Sequence, residues 1–64
     1  MLNPKQETFD FYGELQSETD KCWFVYDGIN TIPIPKSQAN IKMINTVDAR
    51  ITIPMWMAKA KGIV

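Results

Sequence analysis

The chain has 64 residues, of which 45% are hydrophobic and 11% aromatic, and seven Lys and Arg residues balance seven Asp and Glu residues. This length predicts a single small domain, and the apolar content excludes a disordered linker. The balanced charge disfavours a DNA-mimicking polyanion and a strongly basic nucleic-acid binder, because neither sign dominates the surface.

Residues 1–7 are polar and contain a proline, so we expect them to form a loose lead-in to the first strand. Apolar and polar residues alternate from Phe9 onward, which is typical of a half-buried strand. One face of this strand consists of Phe9, Phe11, Gly13 and Leu15. The polar cluster at residues 17–20 predicts a turn, and the two strands on either side of it should pair as a hairpin.

The second predicted strand, residues 21–26, ends at the turn signal Asp27-Gly28 and is rich in residues that favour β-structure. Both of its faces are apolar. One face has Trp23 and Val25, and the other has Cys22, Phe24 and Tyr26. This strand therefore lies centrally in a curled sheet, or its outer face meets another molecule.

Prolines place the third strand, residues 31–34, at an edge of the sheet. Pro33 interrupts this strand and Pro35 ends it, and a proline has no N–H to donate to a central ladder. Residues 35–38 resemble one turn of 3₁₀ or α-helix. Ile41 and Met43 then indicate a fourth strand.

Residues 46–49 predict a turn into a fifth strand over residues 50–53, with Ile51 and Ile53 on one face. A short helix over residues 54–62 should follow directly. Pro54 suits the first helical position, and Gly62 suits a left-handed C-terminal cap. Within this helix, we expect Trp56 and Met57 to serve the core. Met55 then either lies near the surface, where it suits a protein contact, or packs against the N-terminal segment.

Together these elements predict one domain over residues 1–64. The expected fold class is mainly β, a small five-stranded antiparallel barrel or curled sheet with a general SH3-like or OB-like outline, and one short C-terminal helix.

The sequence favours a protein that is not an enzyme and has no cofactor or metal. Cys22 is the only cysteine, and there is no His to activate it as a nucleophile or to bind a metal. The acidic residues sit in turns or on an exposed strand face, and the three glycines are scattered. The lone cysteine also favours a reducing, cytoplasmic setting, and no apolar run is long enough to cross a membrane.

Three stretches resemble small proteins encoded by phages and prophages. These stretches are Ser17-Glu18-Thr19-Asp20-Lys21-Cys22-Trp23, Ile34-Pro35-Lys36-Ser37-Gln38 and the run from Ile51 to Gly62, which contains Ile-Pro-x-Trp-x-Ala-x-x-Lys-Gly. Their order and spacing cover most of residues 13–63. The resemblance implies a mobile-element origin, and hence a bacterial host cytoplasm, but no defined activity.

The leading hypothesis is a phage-encoded interaction protein that binds a host or phage protein, with inhibition of a defence or gene-expression machine as one outcome. Five strands and one short helix cannot cover two apolar sheet faces, and an uncovered apolar patch usually marks an interface. We predict Phe24, Tyr26 and Met55 as the protein-binding residues. A homodimer is a further expectation, because the core is small and an apolar edge is left unpaired.

The alternative hypothesis is a nucleic-acid-binding accessory module of a phage replication or recombination system. Small barrels bind single strands by stacking bases on exposed aromatic rings beside basic groups. In this case Tyr12 and Tyr26 would stack on bases, and Lys21, Lys36 and Lys42 would contact phosphates.

Overall fold

The computed structural model describes residues 6–64 as one five-stranded sheet and a short helix. The elements are β1 (Thr8–Glu18), β2 (Cys22–Tyr26), β3 (Thr31–Pro35), a 3₁₀ turn (Lys36–Gln38), β4 (Asn40–Met43), β5 (Asp48–Pro54) and α1 (Met55–Ala60). All neighbouring strands are antiparallel. The fold class predicted from the sequence is confirmed in the form of a curled sheet that does not close. Most of the predicted lead-in lies outside the described residues.

The strand order β3-β2-β1-β5-β4 places β3 and β4 at opposite edges, although they are consecutive in the chain. The 3₁₀ turn at Lys36–Gln38 makes this connection. A link this short is compatible with the strand order only because the sheet curls and brings its edges toward each other. Pro33 lies in the edge strand β3, as its missing N–H predicts.

The long strand β1 organises the sheet, because its first half pairs with β5 and its second half with β2. A bulge interrupts the β1–β2 register between Leu15 and Ser17. Gly13 lies just before the bulge, where a Cβ atom would stand 2.5 Å from Cγ1 of Val25 and 2.9 Å from the carbonyl oxygen of Tyr26. A glycine at this position lets β1 and β2 pack closely as the sheet bends.

The core lies on the concave face of the sheet. Its buried hydrophobic residues are Phe11, Val25, Ile32, Ile34, Ala39, Ala49, Ile51, Ile53, Met57 and Ala58, and Phe9, Leu15, Trp23, Ile41 and Ile63 pack against them. The inward faces predicted for the first and fifth strands are confirmed. The fifth strand begins earlier than predicted, at Asp48, because the long ladder with β1 recruits residues that look like a turn in isolation.

The terminal helix covers the core with Met57, as predicted, but not with Trp56. Met57 is only 4% exposed and Ala58 is buried, whereas Trp56 is 54% exposed, so the prediction that Trp56 serves the core was wrong. The amide of Met55 donates to the carbonyl oxygen of Glu7 over 2.9 Å. This bond fixes the helix start against the chain just before β1, and it leaves Trp56 on the outer side.

The helix ends as the sequence predicts. Gly62 has φ +72°, in the left-handed region that favours glycine. The amide of Ile63 donates to the carbonyl oxygen of Ala58 over 2.9 Å, and the Ile63 side chain packs against the core. This arrangement is a Schellman cap with its hydrophobic contact. The helix start differs slightly, because Pro54 is extended and belongs to β5.

Candidate functional site

On the face of the sheet that points away from the core, aromatic and charged residues lie side by side in rows that cross the strands. The strand pairings place Tyr12 opposite Arg50, and Arg50 opposite Lys42 on the next strand. Two residues further along β1, on the same face, Glu14 lies between Tyr26 on β2 and Asp48 on β5. Neighbouring strands lie about 4.8 Å apart, so each of these rows is a set of adjacent side chains.

A groove of about 410 Å³ opens at one end of this outer face. It is lined by Tyr12, Gly13, Glu14, Tyr26, Asp27, Gly28, Ile44 and Asp48, and we call it the tyrosine groove. Three of its large side chains are accessible, since Tyr12 is 65%, Tyr26 36% and Ile44 57% exposed. The groove therefore offers two aromatic rings and one aliphatic side chain to a ligand.

Two turns border the tyrosine groove, and each is organised by one short polar side chain. In the β2–β3 turn, Oδ1 of Asp27 accepts hydrogen bonds from the amides of Ile29 and Asn30, both over 2.8 Å. In the β4–β5 turn, Oδ1 of Asn45 accepts from the amides of Val47 and Asp48 over 2.8 and 2.7 Å. Such bonds stabilise a turn locally, so both borders of the groove are formed without a ligand.

One ring in the groove is also held in place. The hydroxyl of Tyr26 donates to the carbonyl oxygen of Gly28 over 2.9 Å, which ties the ring to the turn beside it. Tyr12 is fixed only through its strand. The groove therefore combines an anchored tyrosine with a more exposed one.

The lining of the groove is negatively charged. Its three carboxylates belong to Glu14, Asp27 and Asp48, and no Lys or Arg lines it. The amides of Asn30 and Ile29, in that order of importance, hold the pKa of Asp27 below its ordinary value of 3.8, so this carboxylate is ionised at neutral pH.

The structure separates the predicted protein-binding residues. Phe24 and Tyr26 lie on the outer face of β2, where Phe24 is half-buried and pairs with the exposed Pro33. Met55 is half-buried at the start of α1, beside Glu7. Seven residues of chain, or roughly 23 Å of extended strand, separate Glu7 from Glu14, the partner of Tyr26. Only Tyr26 of the three lines the tyrosine groove.

The predicted nucleic-acid-binding residues also divide into two groups. Tyr12 and Tyr26 share the groove, and Lys42 lies two strands from Tyr12 on the same face. Lys21 and Lys36 lie beyond the C-terminal end of β1, near the β1–β2 turn, where the amide of Lys36 donates to the carbonyl oxygen of Lys21. The structure therefore does not bring all three lysines to the tyrosines.

The ammonium group of Lys36 is already engaged within the chain. It forms an ion pair with Glu18 and lies 5.6 Å from the centre of the Trp23 ring. Lys36 is therefore held between a carboxylate and an aromatic face, which makes it less available for a phosphate than an unpaired surface lysine.

Of the residues that line the groove, only Tyr12 and Tyr26 belong to the predicted sites, so Glu14, Asp27, Ile44 and Asp48 were missed, as was the neighbouring Arg50. Arg50 could have been identified, because its alternation with Ile51 already placed it on the outer face. Ile44 and Asp48 enter the groove only because the Asn45 turn folds next to Tyr12, which no local pattern specifies.

Other kinds of site find little support in the described part of the chain. Within residues 6–64, no three His, Cys, Asp or Glu residues are grouped so that they could hold a metal ion. Cys22 is a half-buried free thiol. None of the described helices has the length and apolarity needed to span a bilayer.

Comparisons with known proteins give no match for this chain, whether with models of protein families, with curated proteins or with solved structures.

Proposed function

We propose that this chain is a non-enzymatic interaction protein that binds another protein through the outer face of its sheet, centred on the tyrosine groove. The observation that carries the proposal is the preformed groove with Tyr12, Tyr26 and Ile44 on its surface. Tyrosine is enriched at the energetically important positions of protein interfaces. The half-buried Phe24 and the exposed Pro33 extend the apolar surface along β2 and β3.

The proposal keeps Phe24 and Tyr26 from the sequence hypothesis and adds Tyr12 and Ile44. Met55 is held beside Glu7, just before the start of β1, and is too far from Tyr26 to share one small contact with it. It would take part only if the partner also covers the helix start. The resemblance to phage and prophage proteins supports a partner in the bacterial host or the phage itself. Inhibition of that partner would follow if the contact covered a working surface.

The test is affinity capture from a bacterial host lysate with matched variants. We expect the wild-type chain to retain one or a few proteins, identified by quantitative mass spectrometry, and Tyr12→Ala combined with Tyr26→Ala to lose them. Trp56→Ala is the control, because Trp56 is also an exposed aromatic residue but lies on the terminal helix, away from the groove. Circular dichroism verifies that each variant is folded.

Identical sets of captured proteins for the wild type, the double tyrosine variant and Trp56→Ala would contradict the proposed function. Phe24→Ala measures how far the surface extends from the groove. If Phe24→Ala were the only variant to lose capture, the interface would be centred nearer to β3. The binding surface would still be the same face of the sheet.

Nucleic-acid binding is a second candidate, favoured by the row of Tyr12, Arg50 and Lys42 across three strands. This row puts an aromatic ring beside two cations, as single-strand binders do. The carboxylates of Glu14 and Asp48 in the next row would repel phosphates, and this weighs against it. Binding of an oligonucleotide that weakens steeply as salt rises, and that Arg50→Ala abolishes, would favour this function.

A further inference from the structure

We infer that the tyrosine groove takes the arginine side chain of a partner protein. This inference rests on the proposed function and specifies the chemistry of the partner. Two kinds of group that attract a cation, tyrosine rings and carboxylates, line the same groove.

The first argument is charge complementarity. Glu14, Asp27 and Asp48 contribute three carboxylates to the groove, and their side chains have no cationic partner. Among residues 6–64, the one ion pair joins Lys36 to Glu18 at the C-terminal end of β1, whereas the groove takes its β1 residues from the middle of the strand. The neighbouring cation in the strand ladder is Arg50, which lies opposite Tyr12 and does not line the groove. A cationic ligand would therefore supply the missing charge.

The second argument is that this chain already binds a cation with the same pair of groups. The Lys36 ammonium lies 5.6 Å from the centre of the Trp23 ring and is paired with the Glu18 carboxylate. In the tyrosine groove, Tyr12 and Tyr26 supply the ring, and Glu14 lies directly opposite Tyr26 across the β1–β2 ladder. The groove offers the ring and the carboxylate with no cation among its own lining residues, although Arg50 lies across the ladder from Tyr12.

The third argument concerns shape. A groove of about 410 Å³ is at the small end of ligand sites, which suits one long side chain rather than a folded surface. A guanidinium group is planar, so it stacks on an aromatic ring while its N–H groups donate to carboxylates on both sides. An ammonium group satisfies the charge but lacks the stacking surface. A phosphate-bearing ligand would meet three like charges.

The contribution of one arginine should be modest, because all the groups that line the groove except Gly13 are exposed. Exposed cation–π contacts and exposed ion pairs are each weak in water. The remaining affinity would come from the neighbouring apolar surface around Phe24 and Pro33. An isolated arginine derivative should therefore bind weakly but at a defined place.

The experiment is a titration of the ¹⁵N-labelled 64-residue chain with N-acetyl-arginine amide, followed by NMR. We expect shifts of the backbone amides of Tyr12, Gly13, Tyr26, Gly28, Ile44 and Asp48 and no comparable shifts in α1. N-acetyl-citrulline amide, which has a similar shape without the charge, should cause much smaller shifts. Added salt should weaken the binding, because the charges are exposed to solvent.

Matched variants test the two kinds of group separately. Glu14→Gln should weaken binding about threefold to fivefold, whereas Glu7→Gln, the same change at an exposed position near the helix start, should leave it unchanged. Tyr12→Leu should weaken binding by a similar factor, and Tyr12→Phe, which keeps the ring, should retain most of it. The NMR spectrum of each variant reports whether it is folded.

The outcomes separate this inference from the proposed function. Equal shifts with the arginine and citrulline derivatives, or equal affinity for Glu14→Gln and wild type, would overturn the assignment of an arginine. If capture of a partner from lysate still depended on Tyr12 and Tyr26 in that case, the proposed interaction surface would stand. If capture did not depend on the tyrosines, the proposed function would fall as well.

Discussion

Asp27 is the residue whose ionisation is most closely linked to a local structure. Its carboxylate accepts amide hydrogen bonds from Ile29 and Asn30 in the turn that borders the tyrosine groove. These bonds favour the charged form and lower its pKa, and the same bonds hold the turn together. Protonation of one exposed side chain should therefore loosen one wall of the groove.

This coupling predicts a pH dependence of stability. The pKa of Asp27 in the folded chain lies below its ordinary value of 3.8, so the unfolded chain binds the proton first as the pH falls. The stabilising contribution is complete above the ordinary value and is lost as the pH falls through the lowered pKa of the folded state. Urea unfolding from neutral pH to about pH 2 should give a steeper loss of stability for wild type than for Asp27→Asn.

Asparagine keeps the acceptor oxygen of the turn but does not titrate, so Asp27→Asn should remain folded at neutral pH. Asp20→Asn is the control for the removal of one carboxylate, because Asp20 is also exposed but lies outside the turn that Asp27 organises. Parallel curves for wild type and Asp27→Asn at acid pH would show that the turn does not depend on the charge of Asp27.

At the scale of elements, the terminal helix places two adjacent large apolar side chains, Trp56 and Met57, in different environments. Met57 points into the core and Trp56 lies mostly in solvent. In a helix, successive side chains are rotated by about 100°, so a helix of six residues can bury only a narrow stripe. The bond from the Met55 amide to Glu7 decides which stripe faces inward.

Truncation of these two side chains should therefore lower the stability by very different amounts. Met57→Ala should lower the free energy of unfolding by about 2–5 kcal/mol, because it removes a buried side chain and leaves a cavity. Trp56→Ala should cost much less, within about 1 kcal/mol, although tryptophan is the larger residue. The midpoint of urea unfolding measures both. Met57→Leu, which conserves volume, should cost less than about 1.5 kcal/mol.

A larger loss of stability for Trp56→Ala than for Met57→Ala would mean that Trp56, rather than Met57, is the main contact of the helix with the core. The urea dependence of unfolding should keep the same slope in all three variants, since none of them alters the surface exposed by the unfolded chain very much.

Much of the fold could be predicted from local patterns. The alternation of Phe9 and Phe11 with polar residues gave the inward face of β1, Pro33 placed β3 at an edge, and Gly62 marked the end of the helix. Each of these features depends on residues within one element, so it leaves a local signal.

The features that were not predicted depend on contacts between distant parts of the chain. The length of β5 depends on its pairing with β1, which extends the strand back to Asp48. The tyrosine groove needs Tyr12, Tyr26 and the Asn45 turn, which three separate elements bring together. No single stretch of sequence contains that information, and Tyr12 was therefore associated with a lysine set that the fold divides.

For the whole molecule, a chain of 64 residues leaves only a small margin of stability. Typical values per residue give a free energy of unfolding of about 3–10 kcal/mol. The core contains residues from β1, β2, β3, β5 and the helix. Strand β4 contributes only Ile41, which packs against the edge of the core. Because each element buries its side chains only against the others, no part of the described fold has a core of its own.

This shared core predicts that the chain unfolds as one unit. Amides in the ladder between β1 and β5, such as those of Phe11 and Ile51, should exchange with solvent hydrogen only through global unfolding. Their free energies of exchange, measured by NMR, should equal the free energy of unfolding from urea. Amides in β3 and β4 should exchange faster, because each of these strands has only one neighbour.

Met57→Ala makes this prediction specific. If the helix and the sheet form one cooperative unit, the substitution should lower the exchange free energies of Phe11 and Ile51 by the same amount as it lowers the global value. Trp56→Ala should change both values by no more than about 1 kcal/mol. A drop confined to the helix, with the β1–β5 ladder unchanged, would mean that α1 detaches separately and that the sheet is stable without it. The tyrosine groove lies on the sheet rather than on the helix, so the same measurement also indicates whether the binding surface depends on the helix for its shape.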